Sequence, residues 1–295
     1  MKKYFRYSIV GLLFLFISLL ITAPASLVAG IASGQKGVSL FGVQGSAWSG
    51  SVQIVTVNSE KFENVRWDLS LFSLFIGQVS ADVSFDYLGK KFHGEVSVDG
   101  FGSGDVSLHG FKTGMLKVDD LFSLINRLGK EKNRNNKVIS FDGVGSFAID
   151  MDSFSIANPS QWQSGSDVII PTQLSGVIDI KGLGMAYSNF SPVFGDFQIK
   201  GASDNGAVKI SINSGTGKKQ PFILDLNVKL FKNGEINIQG RADYNESLNE
   251  TVRGLVKSCF KNKGKELEIS GNINKKNRPA LMNKLQKTFI GCLMM

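Results

Sequence analysis

The sequence is poor in the residues that build metal sites, disulfide frameworks and nucleophilic active sites. Its 295 residues include two cysteines, two histidines and six prolines. Two cysteines exclude a disulfide-dense scaffold. His93 and His109 lack a cysteine or histidine neighbour at ligand spacing, which does not support a zinc site. No Gly-x-Ser-x-Gly elbow is present either. We therefore predict no enzyme activity, no catalytic residue, no metal and no cofactor.

Long hydrophobic runs are also scarce, and the longest lies at the N-terminus. Lys2, Lys3 and Arg6 precede an uncharged, mostly apolar run over 7–32. This run exceeds the roughly 20 residues that a spanning helix needs, and the leading positive charges favour a cytoplasmic N-terminus. A cleaved signal peptide is the alternative, because Ala23-Pro24-Ala25 has the small-x-small form of a cleavage site. Both interpretations place the chain after residue 35 outside the cytoplasm.

Strict alternation of apolar and polar residues dominates the rest of the chain. In 78–87 the odd positions are apolar and the even positions polar, and 222–230 repeats the pattern in the opposite phase. Such alternation predicts strands with one dry and one wet face, and Asn233-Gly234 predicts a hairpin turn. We expect a mainly β fold. Curled antiparallel sheets would form an open sandwich or partial barrel, with few short helices and one N-terminal transmembrane helix.

The same patterns predict four segments. They are a cytoplasmic leader over 1–7, a transmembrane anchor over 8–32, an exported β-rich domain over 36–245 and a basic helical region over 246–295. The β-rich domain has possible halves, 36–152 and 173–245, because 153–172 is polar and is predicted to be a long connection.

The C-terminal region concentrates the charge of the protein. Residues 251–295 contain ten basic and two acidic side chains, which accounts for the net charge of +8. This segment is either a solvated tail or a contact for anionic lipid headgroups or an acidic partner. Nucleic acid is not expected, because no binding motif accompanies the charge. Cys259 and Cys292 lie on apolar stripes of predicted helices. They are predicted to form a disulfide, with two buried thiols as the alternative.

Two apolar features have more than one interpretation. Trp48, flanked by small residues, is either a strand anchor under a turn or a contact for lipid or a partner. The run over 69–76 breaks the alternation. It is therefore either a short turn buried on both sides or a hydrophobic lip near a membrane surface. Arg66 could stack on Trp67 or pair with Asp68, or it could be a surface charge on a strand.

A set of motifs resembles a known family. Gly45-Ser46-Ala47-Trp48-Ser49-Gly50 is followed by Val65-Arg66-Trp67-Asp68-Leu69 and then by Leu74-Phe75-Ile76-Gly77. With the Pro24-Ala25 pair after the apolar run, this order resembles protein N of the bacterial type II secretion system, also called general secretion pathway protein N. The resemblance covers roughly residues 5–240 and omits the basic C-terminal region. It assigns structural roles to the motif residues Gly45, Trp48, Ser49, Gly50, Arg66 and Trp67.

The resemblance implies an uncleaved inner-membrane anchor, a periplasmic β-rich domain and a non-enzymatic role in protein secretion across the outer membrane. Its partners would be other type II secretion subunits. They would be contacted in the periplasm, for instance by strand addition at a sheet edge. The alternative is a periplasmic lipid-binding or lipid-transfer protein of AsmA-like style. The two differ in whether the dry face at 79, 81, 83 and 85 is packed or forms an open trough.

Overall fold

The computed structural model shows a chain of antiparallel strands in two compact units, Met1–Gly102 and Ser103–Met295. The boundary falls after Gly102, whereas the sequence suggested halves on either side of 153–172. The structure describes residues 22–58, 60–100, 104–121, 123, 142–157, 171–186, 191–204, 206–215, 220–246, 250, 253 and 266–272.

The described part of the first unit, from residue 22 onward, contains two short helices and five strands. The elements are α1 (Ala25–Ser33), β1 (Val38–Gly45), β2 (Ser49–Val57), β3 (Glu60–Leu69), α2 (Leu71–Phe75), β4 (Gln78–Tyr87) and β5 (Lys90–Asp99). The strands pair antiparallel in chain order. A register shift between Glu63 and Arg66 interrupts the β3–β4 ladder. Because strands that are consecutive in the chain are neighbours in the sheet, the turns and the strand ends lie at the two opposite ends of the sheet.

The second unit contains the longer strands. They are β6 (Val106–Thr113), β7 (Leu116–Lys117), β8 (Asp142–Ile156), β9 (Pro171–Ala186), β10 (Val193–Asp204), β11 (Ala207–Ser214), β12 (Phe222–Phe231), β13 (Glu235–Tyr244) and β14 (Glu266–Asn272). Both β6 and β7 pair with β8, and the order then follows the chain from β8 to β14. The expectation of a mainly β, antiparallel fold with few short helices is confirmed, and the sheet is open.

The hydrophobic core of the second unit is clearest at β12, β13 and β14. Ile238 and Ile269 are buried and pack with Leu226, Val228 and Ile236. These residues alternate along their strands, so the pattern predicted for 222–230 is confirmed. At the turn, Gly234 has a φ of +82°, and its N–H donates to the carbonyl of Phe231.

Three sequence expectations differ from the fold. Strand β14 lies inside the 246–295 segment that was expected to be helical. The polar connection expected over 153–172 is strand at both ends, since β8 runs to Ile156 and β9 starts at Pro171. Val79, expected on the dry face, is 42% exposed, while Ser80 is buried at 3%. Hydrogen bonding explains the polar residues, because Ser80 Oγ donates to Glu95 Oε1 and Ser155 Oγ bonds Ser107 Oγ.

The N-terminal anchor expected over 8–32 is only partly covered, because 8–21 lies outside the described residues. Within the covered part, α1 begins after Pro24 and has nine residues. Among the residues that the structure describes, no helix has the length and apolar character needed to span a membrane.

Candidate functional site

The Gly-x-x-Trp-Ser-Gly motif forms the hairpin turn between β1 and β2. The Ser46 N–H donates to the Ser49 carbonyl at 2.9 Å, and the Ser49 N–H donates to Ser46 Oγ at 3.0 Å. Gly45 pairs directly with Gly50 across the ladder. Gly45 has a φ of +94°, and a Cβ there would lie 2.6 Å from the Ser49 carbonyl oxygen. The first glycine is therefore required both by its backbone conformation and by the closeness of the opposite strand.

Trp67 lies in strand β3, and its side chain contacts this turn. Its Nε1 donates to the Ala47 carbonyl at 3.1 Å, and its ring lies against Gly50. A Cβ at Gly50 would collide with Trp67 Cζ2 and would lie 2.9 Å from the Gln44 carbonyl oxygen. The second glycine of the motif thus makes room for the indole. The two motifs, separated in sequence, form one packed structure.

Trp48 connects the turn to the next helix. Its side chain is half-buried, and its carbonyl accepts from the Leu69 N–H at 2.6 Å. On the other side, the Ala47 N–H donates to the Ala23 carbonyl at 2.8 Å, and Pro24 forms an isolated bridge with Ser46. The turn therefore lies between the segment that precedes α1 and the residue that leads into α2.

A shallow cavity of about 550 Å³ opens beside this turn. Polar side chains of the cavity lie in a row across the strands. In the strand register Ser51 is opposite Arg66, Arg66 is opposite Ser84, and Ser84 is opposite His93. Five of the six motif residues line the cavity, namely Gly45, Ser49, Gly50, Arg66 and Trp67. The others in the lining are Gln44, Ser51, Asp68, Asp82, Val83, Ser84 and His93.

The charges of the cavity are mixed and exposed. Arg66, Asp68 and Asp82 are all exposed, and Asp68 lies opposite Asp82 in the β3–β4 ladder. Neither the stacking nor the ion pairing considered for Arg66 is recorded. Within the described part of the chain Arg66 has no ion pair. A charged side chain without an ion pair, close to two carboxylates and a histidine, suits a polar contact with another molecule.

Sequence reasoning did not predict that Asp82, Ser84 and His93 would join the motif residues. Alternation placed each of them on a polar face, which is correct. Their alignment with Arg66 depends on the β3–β4 register. That register depends on helix α2, which connects the two strands, and on the register shift between Glu63 and Arg66. That irregularity carries no clear sequence signal, since a bulge adds a residue without changing composition.

The run over 69–76 forms helix α2, and the first interpretation, a turn buried on both sides, is wrong. Ser70 caps the helix through its side chain, which accepts from the Ser73 N–H, and none of its residues is buried. Phe72 and Phe75 are 75% and 87% exposed, and Leu71, Leu74 and Ile76 are exposed as well.

Other predicted features lie in parts of the chain that the structure does not describe. Cys259 and Cys292 lie outside the described residues, as does most of the basic region 251–295. In the described ranges no group of three or more His, Cys, Asp or Glu side chains is arranged to hold a metal ion.

The fold and the site together define a class of protein, an antiparallel β-sheet protein with a glycine–tryptophan hairpin motif beside a polar cavity. The family model for "Type II secretion system (T2SS), protein N" matches residues 36–259, which include the whole of this site. The chain therefore belongs to the type II secretion system protein N family.

A curated relative gives the same family at low identity. The type II secretion system protein N of Vibrio cholerae serotype O1 is 28% identical over 85 residues, or 29% of this chain. The match spans 34% of that protein's length, about a third. No solved structure matches the chain.

Proposed function

We propose that this protein is a non-enzymatic component of the type II secretion apparatus that works through protein contacts in the periplasm. Family membership over 36–259 is the observation that supports the proposal most strongly. The protein takes part in protein transport, and its partners are other subunits of the apparatus. Residues 8–32 hold it in the inner membrane as a single-pass anchor, with the N-terminus in the cytoplasm and the bulk of the chain in the periplasm.

The contact surface in this proposal is the cavity face around Arg66. Exposed charges of both signs are arranged there on a sheet, which gives a defined pattern for a partner with complementary charges. The turn beneath it is fixed by Trp67, Gly45 and Gly50, so little conformational entropy is lost when a partner binds. The motif residues then have a positioning role, and Arg66 and the carboxylates make the contact.

The edge of β1 is a less suitable contact, although strand addition was one expected mode. Helix α1 runs beside β1, and the Val38 N–H at its start donates to the Gln35 carbonyl. A helix beside an edge strand limits pairing with another chain.

The test is a secretion assay in a strain that lacks this gene. We expect exported proteins to accumulate in the periplasm and the wild-type gene to restore their release into the medium. Arg66→Glu should fail to restore release. Lys232→Glu, an equal charge reversal at the exposed β12–β13 turn, should restore it. Normal release by the deletion strain would contradict the proposal, and restoration by Arg66→Glu would remove the cavity face from it.

Lipid binding remains the second candidate because of an aromatic cluster on the dry face of the first unit. Phe62 lies 5.5 Å from Phe85 and 5.0 Å from Tyr87 between ring centroids, and Phe85 stacks on Phe92 at 5.0 Å. Phe92 is buried, whereas the other three rings are half-buried. A partly open row of rings is a surface on which acyl chains could lie. Mass spectrometry of lipids extracted from the purified protein tests this, and phospholipid at a fixed molar ratio would favour it.

A further inference from the structure

The two ends of the first unit differ in charge. At one end lie the segment over 22–34, the turn over 46–49 and the stretch over 69–81, and these three segments contain no charged residue. The end of β5 adds one carboxylate there, because Asp99 pairs with Gln78. At the other end lie the remaining turns and strand starts. Their charged residues are Lys36, Glu60, Lys61, Glu63, Asp86, Lys90 and Lys91. Alternation of apolar and polar residues along a strand separates the two faces of a sheet. It does not produce a difference in charge between the two ends of the strands, so this difference needs another cause.

The end with few charges, which contains the stretch over 69–81, presents the exposed apolar helix α2. Phe72, Phe75 and Ile76 are 75%, 87% and 68% exposed, and Leu71 and Val79 are exposed beside them. Soluble surfaces contain scattered apolar residues, but a contiguous group that includes two phenylalanines usually marks a contact with protein or membrane. Ser70 caps the helix and the Gly77 N–H donates to the Leu74 carbonyl, so the exposed conformation is supported by its own hydrogen bonds.

The path of the chain indicates what this group contacts. Ala23, which follows directly after 8–21 in the apolar N-terminal run, accepts through its carbonyl from the Ala47 N–H. The carbonyl of the adjacent Trp48 accepts from the Leu69 N–H at the start of the 69–81 stretch. Two residue-to-residue steps therefore connect the apolar run to α2. A membrane that receives the run over 8–21 would lie at this end of the unit and face the exposed phenylalanines.

We propose that α2 inserts its apolar side into the interface of the same bilayer that holds the N-terminal run, on the periplasmic side. Phe72 and Phe75 would lie among headgroups and upper acyl chains, and Trp48 would lie near them as an interfacial aromatic residue. The unit then has a second membrane contact that fixes its orientation, with the charged end directed away from the bilayer. This inference depends on the anchor in the proposed function, so its test must separate the two.

The test uses an environment-sensitive nitrobenzoxadiazole label on single cysteines in the full chain. Cys259→Ser and Cys292→Ser provide the background, and the protein is reconstituted in phosphatidylethanolamine and phosphatidylglycerol vesicles. Labels at Phe72→Cys and Phe75→Cys report on α2, a label at Phe14→Cys reports on the anchor, and Leu88→Cys is the matched control. Leu88 is an exposed apolar residue in the β4–β5 turn at the charged end.

We expect the labels at 72 and 75 to show blue-shifted emission and quenching by phospholipids brominated near the headgroup end of their chains. The label at 88 should remain solvent-like. Solvent-like labels at 72 and 75 with a quenched label at 14 would overturn the inference and leave the anchor intact. Blue-shifted but unquenched labels at 72 and 75 would overturn it too, because protein would then cover the helix.

Two further outcomes separate the inference from the anchor. If 14, 72 and 75 are all unquenched, both the anchor and the inference fail. If 72 and 75 are quenched and 14 is not, α2 binds the bilayer and only the anchor fails. Because Phe72 and Phe75 are the most exposed side chains of α2, labelling should leave the fold unchanged, which far-ultraviolet circular dichroism of the labelled protein checks.

Discussion

Replacing Gly50 by alanine tests how the two halves of the hairpin motif depend on each other. The new Cβ would collide with the Trp67 ring and lie 2.9 Å from the Gln44 carbonyl oxygen, which is closer than such atoms normally approach. Adding a methyl group to a well-packed site costs about 1–3 kcal/mol. At an m value of roughly 2 kcal/mol/M, the urea midpoint of the first unit should fall by about 0.5–1.5 M.

The unfolding of this unit can be followed by the fluorescence of Trp48 and Trp67 in a Trp162→Phe background. Gly30→Ala is the matched control, because nothing lies within 4 Å of a Cβ there and the residue is inside α1. The control should leave stability unchanged or raise it by up to about 1 kcal/mol.

A double mutant separates a collision with the indole from a general intolerance of alanine. Trp67→Phe shortens the ring that meets Gly50 and also loses the hydrogen bond to Ala47. The loss in Gly50→Ala/Trp67→Phe should be smaller than the sum of the two single losses by about 0.5 kcal/mol or more. Additive losses, or a Gly50→Ala protein as stable as the parent, would refute the packing that we describe.

Three more predictions concern the second unit. Ile269→Ala should lower its free energy of unfolding by about 2–5 kcal/mol because Ile269 is 1% exposed, while Ile223→Ala at an exposed site should cost much less, as urea unfolding will show. The Gly182 N–H bond to Asp196 lowers the pKa of that carboxyl below 3.8. The ionised Asp196 carboxylate therefore stabilises the folded state above about pH 4, and this stabilisation is lost as the pH falls through the lower pKa of the folded state. An Asp196→Asn protein should lack that part of the acid dependence when the free energy of unfolding is measured as a function of pH. Gly234→Ala, at a φ of +82°, should destabilise the β12–β13 hairpin by about 1 kcal/mol or more, measurable as a lower thermal midpoint.

Local signals in the sequence were sufficient for part of the fold. The β12–β13 hairpin follows from alternation and the Asn233-Gly234 turn, because its strands are adjacent in sequence and register is set by the turn. Strand β14 was not predicted. Its seven residues lie in a lysine-rich segment, and only pairing with β13 shows that Ile269 is a core residue.

Polar residues with partners across the sheet account for the other differences. Ser80, Ser153 and Ser155 are buried, whereas their polarity predicts solvent or loop. Cross-strand hydrogen bonds make serine acceptable at 80 and 155, and these bonds depend on register that the sequence does not state.

The candidate site was predictable as motifs but not as a surface. Gly45, Ser49, Gly50, Arg66 and Trp67 were expected to have structural roles. Gly45, Gly50 and Trp67 pack together at the turn, whereas Arg66 is exposed and its structural role stays a prediction. Their association with Asp82 and His93 in one cavity depends on three strand pairings and on the irregularity beside Arg66.

Photo-crosslinking in living cells tests the central claim most directly. A photoreactive amino acid would replace Asp82 or Ser84, which line the cavity. Phe85 is the control, since it follows Ser84 in the strand, does not line the cavity and belongs to the aromatic cluster. Mass spectrometry would identify each adduct. Our account predicts adducts to other type II secretion subunits from 82 and 84 and not from 85. Phospholipid or lipopolysaccharide adducts from 85, with no protein adduct from 82 or 84, would contradict it.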